Sequence, residues 1–147
     1  MDLKKILSDW EVDCVISDAK IDESSRKTPE LHAKYLSLYS DAKLKLKQAQ
    51  FKQKELMKLK WLWYNGKLSQ SEVEELGWDP DPFDGLKILK GDMEHYVEAD
   101  PELVESEAKI EYIKTVIDTL KEILDNLKWR HNNIKNIIEW KKFESGY

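Results

Sequence analysis

The chain has 147 residues, enough for one domain that buries roughly 70% of its extended surface. Its single cysteine, Cys14, excludes an internal disulfide, and its short apolar runs exclude a helix crossing a bilayer. The net charge of −5 excludes a simple polycation, although that average hides a strong segregation along the chain.

The N-terminal MDLKKILSDW lacks the apolar core of a secretory signal, which points to an intracellular protein, and LKKILSDW reads as a short helix. TPEL at 28–31 supplies an N-cap, a proline at the first helical position and an acid in the first turn. No further proline or glycine occurs before Gly66, so a helix from Pro29 to about Asn65 is expected, within a basic stretch 28–66. Asn65-Gly66 fits a helix C-cap better than a hairpin turn, because the following KLS is too short and polar for a partner strand. Residues 67–99 read as an acidic loop with short helices. SQSE at 69–72 is a capping box, the helix it opens stops at Gly77, GWDPDPFDG is loop, and a weak helical piece runs from about Lys87 to Glu98.

DPEL at 100–103 repeats the helix-opening chemistry and begins the long helical segment 100–146. Leu103, Ile110, Ile113, Ile117, Leu120, Leu124 and Leu127 form a heptad seam in it, and the earlier helix offers Ala42, Leu46, Ala49, Leu56, Leu59 and Trp63 as a weaker one. The expected fold is a single all-α domain over 1–147: an elongated helical bundle with two long antiparallel helices and coiled-coil-like packing.

Catalytic chemistry has little to work with. His32, His95 and His131 lie on different elements, the Asp92–His95 spacing occurs once where a diiron bundle needs it twice, and Cys14 has no basic neighbour to activate it. The glycines form no phosphate-cradling loop. The expectation is a protein that is not an enzyme and carries no metal or cofactor.

Residues 43–60 hold seven lysines against one acid, Glu55, whereas 69–107 hold thirteen acids against two lysines. On a helix, Lys43, Lys47, Lys54 and Lys58 share one stripe, which Trp61 extends. Two readings of this face stand. The acidic segment neutralises it, in a structural coiled-coil assembly protein without nucleic-acid binding; or it binds single-stranded nucleic acid, lysines taking phosphates and Trp61 and Tyr64, near Lys58, Lys60 and Lys67, stacking on bases. A second cluster, Trp129 to Phe143, mixes cations with Ile134, Ile137, Ile138, Trp140 and Phe143, and fits a subunit contact, an intrachain core or, less well, base stacking.

RHNNIKNIIEWKKFESG at 130–146 resembles the C-terminal signature of the UvsY family, recombination mediators of tailed bacteriophages, through Arg130, Ile134, Lys135, Ile137, Ile138, Glu139, Trp140, Lys142, Phe143 and Gly146. LMKLKWLWYNG is similar to a second family element at Lys58, Lys60, Tyr64 and Gly66, while Asn132 stands where such sequences usually carry an aromatic. The resemblance implies a single-stranded-DNA-binding mediator, with Lys58 and Lys60 on the DNA, that helps load a RecA-like recombinase onto DNA covered by single-stranded-DNA-binding protein. It further implies a ring-like homo-hexamer or homo-heptamer joined through the C-terminal helices, in the cytoplasm of the infected bacterial host.

Overall fold

The computed structural model describes residues 1–146 and is all-helical there: α1 (Leu3–Asp13), α2 (Ile21–Tyr64), α3 (Gln70–Leu76), α4 (Met93–Glu98) and α5 (Pro101–Glu144). The chain divides into two compact units, Met1–Lys45 together with the chain from Ile113 onward, and Leu46–Tyr112; α2 and α5 contribute to both. No helix among the described residues is long and apolar enough to cross a membrane.

Four local expectations meet their structure. The Ser69 side chain caps α3 by accepting from the Glu72 N–H at 3.3 Å, and Gly77 closes it at φ +70°. Asp100 Oδ1 accepts from the N–H groups of Glu102 at 3.0 Å and Leu103 at 3.2 Å, opening α5 as its DPEL spelling requires. Gly66, at φ +68°, ends α2: its N–H reaches the Trp63 carbonyl at 3.1 Å and the Lys67 N–H reaches the Leu62 carbonyl at 2.8 Å, a pairing that requires the left-handed conformation.

Two boundaries differ. α2 does not begin at Pro29 but eight residues earlier, with the proline inside the helix. The turn before it is held from outside: Arg130 Nε donates to Thr28 Oγ1 at 3.1 Å and its Nη2 donates to the Ser24 carbonyl at 3.2 Å. The helical piece expected from Lys87 is shorter, a 3₁₀ turn at Lys90–Asp92 leading into α4, so Leu86–Leu89 lie outside any helix.

In the first unit Ile6, Tyr35 and Ala42 pack with Val116, Leu120, Ile123, Leu124 and Leu127. Leu103, Ile110, Ile113, Leu120, Leu124 and Leu127 of the α5 seam are buried and Ile117 is partly so. Contacts between α2 and α5 run antiparallel in the second unit, Gln53 with Glu107 and Lys60 with Glu102, and in the first unit the two helices meet at Thr28 and Arg130. Trp10 meets Tyr35 edge to face at 5.4 Å, and the Tyr35 hydroxyl donates to Asp13 at 2.8 Å. Asp13 also takes Lys34 at 2.7 Å. Burial alone would raise Asp13, but the bonds from Lys34 and Tyr35 hold its carboxyl below the usual carboxylate range.

Candidate nucleic-acid interface

The lysines of α2 separate into two populations. Lys43, Lys47, Lys52, Lys54 and Lys58 are exposed, and none has a carboxylate within ion-pair distance among the described residues; Lys45 is also exposed but pairs with Asp41 at 3.1 Å. Lys60 is 3% exposed. It continues the row of Leu46 and Gln53 at seven-residue spacing, so it points where those two point, toward the start of α5 rather than along the cationic stripe.

Around Lys60 the second unit builds a closed polar site. Its Nζ lies 3.1 Å from Asp100 Oδ2 and 3.3 Å from Glu102 Oε1, 4.0 Å from the Trp78 ring centroid and 4.6 Å from that of Trp63. The Tyr64 hydroxyl donates to the same Asp100 oxygen at 2.7 Å. Burial pushes Asp100 up, yet the bonds from Tyr64, Lys60 and the Leu103 N–H outweigh it and hold the carboxyl below its usual range; burial and Asp100 in turn raise Tyr64. One carboxylate thus caps α5 and neutralises the only buried lysine, and no buried side-chain polar atom among the described residues is left without a partner.

Two residues expected at a DNA surface are thus placed inside: the Lys60 ammonium is buried beside two carboxylates, and the Tyr64 hydroxyl is bonded to Asp100. The acidic segment does neutralise part of the basic helix, but it reaches Lys60 alone and leaves the outer stripe open. Trp61 remains half exposed, 49%, with Lys67 Nζ 4.6 Å over its ring. Lys43 Nζ sits 5.4 Å over Tyr39 in the first unit. Beside Lys54, whose Nζ is 6.0 Å from the ring centroid, stands Phe51 at 59% exposure, an aromatic that the sequence reading passed over. Its signal was present in the spacing, since 47, 51, 54 and 58 form one helical stripe.

The C-terminal cluster divides similarly. Ile134 is buried within its own unit, while Ile137 is partly buried. Ile138, Trp140 and Phe143 are exposed, the last two stacked on each other at 5.5 Å between centroids. Arg130, a cation of the same cluster, is buried: besides Thr28 and Ser24 it reaches the carbonyls of Asp13 at 3.5 Å and Cys14 at 3.4 Å. Among the described residues no cluster of His, Cys, Asp and Glu could hold a metal ion.

A family model described as recombination, repair and single-stranded-DNA-binding protein UvsY matches residues 9–147. Crystal structures of the recombination mediator protein UvsY of bacteriophage T4, in different lattices, match in fold. One aligns at a TM-score of 0.80 and 21% identity, covering 99% of this chain and 98% of that one. A second aligns at 0.78 and 19%, covering 98% and 99%. None of the curated protein sequences compared with the chain matches it.

Proposed function

Because this chain belongs to the UvsY family of recombination, repair and single-stranded-DNA-binding proteins, we propose that it is a phage recombination mediator whose DNA contact is the outer face of α2. Lys43, Lys47, Lys54, Lys58 and Lys67 bind phosphates and Trp61 stacks on a base. The observation that carries this reading is the separation of the lysines: the acidic segment sequesters Lys60 and leaves the stripe unpaired, which costs repulsion in the free protein and is relieved by a polyanion.

Binding on this face serves to seat a RecA-like recombinase on DNA covered by single-stranded-DNA-binding protein. The active form is a hexameric or heptameric ring joined partly through Ile137, Ile138, Trp140 and Phe143, in the cytoplasm of the infected host. Repeating a modest patch around a ring makes each later contact effectively intramolecular, so weak sites add up to firm binding. The fold of a recombination mediator and an exposed aromatic pair at the end of α5 support this assembly. The test is recombinase filament growth on a strand pre-coated with single-stranded-DNA-binding protein. The proposal expects the lag to shorten when this protein is added and to return with Lys54→Ala/Lys58→Ala. An unchanged lag with the unaltered protein rejects the mediator role.

A further inference from the structure

We infer that Phe51 is a base-stacking platform set into the lysine stripe, so that the face reads an unpaired nucleobase as well as the phosphate chain. The inference deepens the reading above and rests on it. Leu44 and Met57 are also exposed on α2, at 67% and 51%, but Phe51, at 59%, is the aromatic that shares its row with Lys47, Lys54 and Lys58, and a flat ring among cations offers a face to an anionic ligand that carries rings of its own. Phe51 points away from the row of Gln53 and Lys60 and is more than half exposed, and among the described residues no ring pair includes it.

The placement suits one polymer. Lys47 lies one turn before the ring, Lys54 one turn after it with its ammonium toward the ring, and Lys58 one turn further, all exposed, over about 16 Å of helix. Within residues 47–58 of the helix the acid is Glu55, outnumbered by Lys47, Lys52, Lys54 and Lys58. A flat ring between cations matches a single strand, whose bases offer faces on one side and phosphates on the other; a duplex offers no free face there. Phe51 with Lys54 and Trp61 with Lys67 then make two ring-and-ammonium stations whose rings stand on the same helix, ten residues apart in sequence.

The test compares a labelled oligothymidylate with an abasic strand of equal length, by fluorescence anisotropy, on the full-length protein and on Phe51→Ala and Phe51→Trp. The inference predicts that Phe51→Ala loses about tenfold on oligothymidylate and nothing on the abasic strand, that its salt dependence is unchanged because no cation is removed, and that Phe51→Trp retains binding. Equal affinity of Phe51→Ala and the unaltered protein on both strands overturns it. So does loss on both strands together with a lower mass in light scattering, which would make Phe51 a subunit contact. Failure of the unaltered protein to bind either strand at low salt removes the parent reading, and this inference with it. Photo-crosslinking of the unaltered protein to a bromodeoxyuridine strand needs no variant. Adducts on the Phe51 peptide support the platform, and adducts only elsewhere overturn it.

Discussion

Lys60 Nζ and Asp100 Oδ2 lie 3.1 Å apart, at 3% and 2% residue exposure, and this pair decides which lysines of α2 belong to the fold and which are free for a ligand. Asp100 opens α5 with one oxygen and grips Lys60 and Tyr64 with the other. The pair therefore fastens the tip of one long helix to the start of the next.

Lys60→Ala is expected to destabilise the protein by about 3 kcal/mol, because Asp100 stays buried with its counter-charge gone, whereas Lys58→Ala leaves stability within about 0.5 kcal/mol. Urea unfolding of the two single variants measures this. Equal midpoints for both would mean that Lys60 is not the clamp described. A paired Lys58/Lys60 substitution would confuse lost binding with lost folding, so DNA experiments need Lys60 intact.

Arg130→Lys is expected to cost about 2 kcal/mol or more, since a lysine cannot span Thr28, Ser24, Asp13 and Cys14 at once. Hydrogen exchange locates the effect: faster exchange in the turn before Pro29 is expected. Unchanged protection there would show that the proline is tolerated without its outside support.

Acid and alkali act on the same two bonds from opposite sides. Asp13 and Asp100 have folded pKa values below the unfolded one, so their stabilisation is present above about pH 5 and is lost as pH falls below about 4. Tyr35 and Tyr64 are raised above the ordinary value of 10.0 by burial and by Asp13 and Asp100 respectively, so their stabilisation is present below pH 10.0 and is lost as pH rises beyond it. Spectrophotometric titration should find a late-ionising component above pH 10 that shrinks in Tyr35→Phe and in Tyr64→Phe. A late component of the same size in either variant would contradict the assigned bonds.

Helix positions were legible in the sequence because caps are local chemistry: Ser69 with Glu72, Asp100 before Pro101 and Gly66 after Tyr64 each satisfy backbone groups within a few residues. The start of α2 was not, because the donor that braces the turn before Pro29 is Arg130, over a hundred residues away. Lys60 was half legible. Its seven-residue spacing from Leu46 and Gln53 marks an inward position, but a lysine there reads as surface until the carboxylates of Asp100 and Glu102 are seen opposite it. Phe51 was passed over as well, although its row is that of Lys47, Lys54 and Lys58.

Trp140→Ala/Phe143→Ala removes the stacked, exposed pair at the end of α5 without touching buried Ile134. If that pair joins subunits, light scattering should show a smaller particle with unchanged helix content. An unchanged mass would take the pair out of the interface.

The central claim is that the exposed stripe of α2 binds single-stranded DNA while Lys60 serves the fold. Anisotropy of a labelled single strand across a salt series, on the unaltered protein and on Lys54→Ala/Lys58→Ala, tests it most directly. The account predicts weaker binding and a slope of log affinity against log salt that is shallower by about 1.4, at ~0.7 per phosphate contact. Identical affinity and slope for the two proteins would contradict it.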